Sequence, residues 1–250
     1  NKNVKNQLNY IIQALKSMKK TFILLLGLIV CIRVSSQNAP PNMPYFDDKP
    51  FHFGIVLGLS SLSTNVAGTT DLPLYDSIYS YTSIRNSGVQ IGVISDLKLL
   101  SWVHLRLIPT LVLTDRTIEY EVLRHGQIKT IRTPLEVIYL EAPLELKVMA
   151  KRYGNFRPYL IGGAKYSYDI GSIKRKKLSP DEYLMKLEQN ELFYTLGVGF
   201  DFYLPMCKIG LELKSSFGLN DILDHSFQNA YTDCIDKMKS QLFYVNLTFE

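Results

Sequence analysis

The chain is poor in the residues that do chemistry. It has three cysteines and four histidines in 250 residues. His52, His104, His125 and His225 are scattered with no metal-ligand spacing, so no metal site is expected. Cys31 falls in an apolar leader, with Val30 ahead of it where lipoprotein processing needs a small residue. Cys207 lies at a short turn and Cys234 in a long polar stretch, and no disulfide between them is expected. There is no Gly-x-Ser-x-Gly elbow to expose a nucleophile. Gly162-Gly163 and Gly197-x-Gly199 are followed by no helical pattern, which excludes a phosphate-cradling loop. These absences leave no catalytic residue and no cofactor to assign.

Positive charge is also scarcer than the total suggests. The net charge is +5, but residues 1–36 hold six basic residues (Lys2, Lys5, Lys16, Lys19, Lys20 and Arg33) and no acidic one. Removing those six charges leaves −1 for residues 37–250, so the folded part has no basic excess to attract nucleic acid. The leader reads as targeting information. Met18-Lys19-Lys20 opens it, Thr21 to Ile32 is apolar but too short to cross a bilayer comfortably, and Val34-Ser35-Ser36 supplies small residues for cleavage before Gln37. Residues 1–17 are then an upstream extension, 18–36 a signal peptide, 37–50 a proline-rich, irregular periplasmic lead-in, and 51–250 the folded domain.

Alternation is what the chain has in abundance. In Gln241 to Glu250, Phe243, Val245, Leu247 and Phe249 share one face while Tyr244, Asn246 and Thr248 share the other, the period of two that a β-strand imposes. The pattern recurs eight times: near Phe51 to Ser60, Gly88 to Lys98, Trp102 to Thr114, Tyr139 to Val148, Arg157 to Ile170, Leu192 to Tyr203, Lys208 to Gly218 and Gln241 to Glu250. Each strand keeps one apolar face, and the linkers alternate long and short. This is the signature of an all-β, eight-stranded antiparallel up-and-down transmembrane barrel with short periplasmic turns, long extracellular loops and both termini in the periplasm. The long linkers are expected at residues 61–86, 115–133, 171–190 and 219–239, and the first half of 115–133 could extend the third strand beyond the membrane. Ser179-Pro180-Asp181-Glu182 in the third carries a helix-start signal. Pro109, inside the third strand, calls for a bulge or for a position whose N–H would face nothing.

Eight strands enclose a lumen that side chains fill. The inward set, His104, Arg106, Glu141, Glu145, Lys147, Lys165, Asp201, Glu212 and Lys214, holds both signs of charge. A buried charge persists when paired, so these nine residues are expected to form a structural plug. Asp96, Lys98, Asp169 and Lys208 also point inward by parity. The run Lys174, Arg175, Lys176 and Lys177 is a basic loop patch suited to lipopolysaccharide or a protein partner.

Three stretches carry a family resemblance: FHFGIVLGLS at Phe51, APLELKVMAKRYGNFRPYLIGGAKYSYDI at Ala142 to Ile170, and KIGLELKSSFGLNDIL at Lys208 to Leu223. They resemble the PorT family of Bacteroidetes outer-membrane proteins. The resemblance implies a non-enzymatic outer-membrane barrel needed by the type IX secretion system and, in gliding relatives, for motility. Its partners would be other secretion-system proteins and outer-membrane lipid or lipopolysaccharide, with no nucleic acid. Two other functions fit such a barrel: surface anchoring or adhesion, and an outer-membrane barrel enzyme, for which no nucleophile and base stand out.

Overall fold

The computed structural model describes residues 41–68, 78–124, 127–171, 187–223 and 235–250. Met43–Glu250 forms one compact unit. Its strands are β1 (Phe51–Gly68), β2 (Ile78–Ile84), β3 (Asn86–Lys98), β4 (Val103–Leu107), β5 (Thr110–Arg124), β6 (Gln127–Met149), β7 (Phe156–Asp169), β8 (Asn190–Tyr203), β9 (Lys208–Gly218) and β10 (Ile235–Phe249). β2 and β3 are one barrel strand interrupted at Arg85, and β4 and β5 are one interrupted at Ile108 and Pro109, so the ten segments make eight staves. Every neighbouring pair is antiparallel. β1 pairs with β3 on one side and β10 on the other, with Ile55 opposite both Val93 and Phe249, and this closes the ring. Closure matters because an open edge in hydrocarbon strands its backbone donors and acceptors.

Pro109 interrupts the ladder without shifting it. Leu107 pairs with Leu144 and Thr110 with Glu141, so the register against β6 continues unbroken, and no bulge is needed. The Pro109 carbonyl still accepts from the Val93 N–H at 3.1 Å. Only the bond the ring nitrogen cannot donate is lost.

Burial follows the alternation. In β8 every second residue from Glu191 to Tyr203 faces inward, and Leu192, Tyr194, Leu196, Val198, Phe200 and Phe202 face out. Leu57, Ile91, Leu146, Leu160, Leu213 and Val245 are exposed around the rest of the ring. Water-soluble proteins rarely expose contiguous apolar surface of more than a few hundred Å². A belt that encircles the molecule is a lipid-facing surface.

Three linkers are shorter than their polar composition suggests. β1 runs on to Gly68 and β2 starts at Ile78, where residues 61–86 read as a loop. β10 begins at Ile235 rather than Gln241. At 115–133 the first half does extend the third strand, as its position allows, and the correction is in the second half: β6 pairs with it out to Arg124 opposite Gln127, leaving only residues 125 and 126 between them. A polar strand beyond the apolar belt needs no lipid-facing residues, so hydropathy alone cannot distinguish it from a loop. The helix-start signal at Ser179 lies outside the described residues.

The lead-in is also more ordered than its prolines imply. Phe46–Asp48 makes one 3-10 turn that caps the short-turn end of the barrel. The Phe46 ring stacks on His52 with centroids 4.5 Å apart, and the Tyr203 hydroxyl donates to Asp47 at 2.9 Å. Arg157 reaches the same carboxylate at 3.2 Å.

Candidate functional site

All nine inward residues singled out in the sequence are buried in the lumen, Arg106, Lys147, Asp201 and Glu212 completely. Strand register brings them together. Arg106 lies opposite Glu145 and Asp96, and His104 opposite Lys147 and Lys98. Across the lumen Arg106 Nη1 donates to Glu212 Oε1 at 2.5 Å. Lys147 Nζ donates to Asp201 at 2.7 Å while lying 3.8 Å from the centre of the Tyr159 ring. Lys214 donates to Glu145 at 2.9 Å and approaches Glu212 at 3.5 Å. His104 Nδ1 and Asp96 Oδ1 are 2.6 Å apart.

Lys165 and Glu141 form a second group nearer the other end. They are 2.6 Å apart, and the Tyr244 hydroxyl donates to the same carboxylate at 2.9 Å. The basic run Lys174 to Lys177 lies outside the described residues, as does Cys234. Cys207 is free.

Several members of the network were not in the set of nine. Asp96 and Lys208 are inward by parity but their partners cannot be read without register. Lys208 Nζ sits 2.5 Å from Glu250 and 3.9 Å from Asp201. Glu250 lies just past β10 on the parity of Thr248, one step from outward Phe249, and so points into the lumen end. Burial pushes its carboxyl up, but Lys208, with Lys147 and Arg106, more than offsets this and holds it at about 2. Tyr159 donates to Glu212 at 2.9 Å, in space opened by Gly199, where a Cβ would overlap the Tyr159 ring. Arg116 lies in the part of 115–133 that extends the third strand, and it is buried. It donates to the hydroxyls of Tyr139 at 2.8 Å and Ser240 at 2.7 Å and lies 3.5 Å from Glu191. The signal for it was continued parity from Val112 through Thr114.

One grouping is invisible in linear spacing. His52, Asp96 and His104 come from β1, β3 and β4, and one ligand atom from each lies within 4.8 Å of the others.

The packed side chains leave little space. The cavity between Glu141, Glu145, Lys165, Lys214 and Asn246 is about 10 Å³, around the room of a single water. The arrangement can hold staves together and fills the lumen at this level.

The family described as outer membrane protein beta-barrel domain matches residues 35–224. The chain belongs to this family. Accordingly this outer-membrane β-barrel protein resides in the outer membrane, and its exposed apolar belt is the surface in contact with lipid. Its fold is similar to solved outer-membrane barrels. Neisserial surface protein A is 6% identical, with 80% of this chain and 98% of that one covered and a TM-score of 0.42. OprG from Pseudomonas aeruginosa is 15% identical over 79% of this chain and 94% of its own, with a TM-score of 0.41. Ail of Yersinia pestis, solved with the heparin analogue sucrose octasulfate, is 11% identical over 80% and 99%, with a TM-score of 0.38. No curated protein matches the barrel protein.

Proposed function

We propose that this outer-membrane barrel is a non-enzymatic component of the type IX secretion system that acts through protein partners at its loops or periplasmic rim. Both termini are then periplasmic, on the side of the short turns, and the long connections face outward. The observation that carries the reading is the filled lumen. Among the described residues the middle of the lumen is a buried charge network around a cavity of about 10 Å³, and an eight-stranded barrel filled in this way is no channel for an unfolded chain. Its remaining means of action are its surfaces. The PorT-like stretches support the specific system, since they supply Glu145, Lys147, Lys165, Lys208, Glu212 and Lys214, much of the material that closes the lumen.

Deletion of the gene in its native host, followed by comparison of surface-attached and secreted proteins carrying the C-terminal export domain, tests this. Cargo retained in the periplasm and released again on complementation is the expected result. Normal export removes the secretion reading and leaves a barrel for surface anchoring or adhesion. One feature fits that alternative: pairing of β5 with β6 continues past the exposed Leu113 and Leu140 to Arg124 opposite Gln127. Arms of this kind hold binding surface away from the lipid.

A further inference from the structure

We propose that the short-turn end of the lumen holds a divalent transition-metal site of the zinc and copper class, with His52, His104 and Asp96 as its protein ligands. The three residues converge from adjacent staves. His52 is directly opposite Asp96 in the β1 and β3 register, and His104 follows on β4 two residues before Arg106, which faces Asp96. All three are buried, with exposures of 5%, 3% and 0% for His52, His104 and Asp96.

The hydrogen bonding around them is that of a ligand set. His52 Nε2 lies 2.8 Å from the Phe46 carbonyl, which can only accept, so the proton sits on Nε2 and the lone pair on Nδ1. That Nδ1 is buried with no hydrogen-bond partner. An imidazole held through its outer N–H by a backbone carbonyl, with its other nitrogen free, is how metal-binding histidines are oriented. Asp96 is similarly half-used: Oδ1 meets His104, while Oδ2 has no hydrogen-bond partner. The His52 and His104 rings are near-parallel, with 11° between planes and centroids 5.9 Å apart, and Phe46 packs over the far face of this pair through its stacking on His52.

Two imidazoles and a carboxylate suit zinc, copper, cobalt or nickel rather than calcium or magnesium, and leave a coordination position for water. Bonds of about 2.1 Å place tetrahedral donors about 3.4 Å apart, so the ligand atoms close from a separation of up to 4.8 Å by side-chain rotation. The nearest cation, Arg106, is 3.7 Å from Asp96 Oδ2, but Glu212 and Glu250 already engage it at 2.5 and 3.6 Å. Through His52 and Phe46 a bound metal would also tie the capping turn to the barrel end.

The test uses the full chain folded in detergent micelles and stripped with a chelator. Cobalt(II) is titrated by absorbance, and zinc is then used to displace it. The expected result is one equivalent of cobalt with visible bands of a low-coordinate nitrogen and oxygen site, displaced by one equivalent of zinc. His52→Gln, whose amide can still donate to the Phe46 carbonyl, should weaken binding at least about tenfold while the metal-free protein still folds, its melting temperature lowered only by the lost ring stacking. His104→Gln should do the same. If that variant does not fold, the His52→Gln titration decides. Joint replacement of His125 and His225 should change nothing. The proposal is overturned if wild-type protein shows no saturable binding, or if binding survives His52→Gln and is lost with His125 and His225.

Discussion

The two halves of the lumen solve the same problem in different ways. Toward the short turns, five carboxylates and four bases interlock around Arg106, Lys147 and Lys208. Toward the long connections, Leu62, Val112, Val137, Phe193 and Leu242 pack into an apolar cluster with Tyr139 and Tyr244, bordered by the Lys165–Glu141 pair and a smaller polar group around Arg116. Both halves obey one parity rule on the same staves. The difference shows that inward position in a membrane barrel dictates burial, whereas polarity is free to vary. In the ionic half stability depends on every partner being present. In the apolar half it depends on volume.

The sharpest way to break the comparison is to remove the hub of the ionic half. Arg106→Met keeps much of the side-chain bulk but leaves Glu212, Glu250 and Asp96 facing one another, and a buried pair broken on one side costs about 3–5 kcal/mol. Urea or thermal unfolding in micelles should show this loss, and the variant should assemble poorly into membranes. An unchanged midpoint would mean that the network contributes nothing to holding the ring.

Leu242→Ala is the matching change in the apolar half. It deletes a fully buried side chain from the cluster with Leu62 and Phe193, and should cost about 2–5 kcal/mol through lost burial and a residual cavity. Unlike the Arg106 variant, its deficit should be insensitive to pH. The two can be compared in one unfolding series.

A double-mutant cycle on Lys147 and Asp201 reads the cooperativity of the ionic half directly. Each single change, Lys147→Met or Asp201→Asn, strands the other partner of the 2.7 Å pair. The double variant should lose less than the sum, with a coupling of about 0.5–3 kcal/mol. Lys208, at 3.9 Å, remains to neutralise Asp201 in Lys147→Met, which makes Asp201→Asn the more damaging single change. Strict additivity would remove the idea of a connected network.

Much of this was legible in the sequence because alternation is a local property. Which residues face inward in Leu192 to Tyr203 follows from counting by two. Which of them touch does not, since Arg106 reaches Glu212 across the lumen, and that depends on stave order and register. The same limit hid the grouping of His52, Asp96 and His104, which lie on three strands. At 115–133 a possible extension of the third strand is legible, but the full hairpin is not, for another reason. Above the lipid belt both faces of a strand meet polar surroundings, so the outward apolar signal vanishes while the backbone pairing persists to Arg124 and Gln127. Arg116 continues the inward count of Val112 and Thr114, but its partners depend on register.

The smallest expected effect lies at the seam where the last stave meets the short-turn end. Glu250 is held at about 2 against an ordinary value of 4.5, because Lys208, Lys147 and Arg106 more than offset the cost of burying its charge. A carboxyl whose value is lowered on folding binds fewer protons in the native state, so its contribution is complete above about 4.5 and falls away as the pH drops toward 2. Wild-type barrel should therefore lose stability over that window, and Glu250→Gln should lose less over the same window because its seam is already uncharged. At neutral pH the order reverses, with Glu250→Gln the less stable of the two, since Lys208 then keeps only Asp201 at 3.9 Å. Leu242→Ala should run parallel to wild type throughout. If Glu250→Gln also ran parallel, the carboxylate would be a bystander, and the closure of β1 on β10 would rest on backbone pairing and the outer apolar contacts alone.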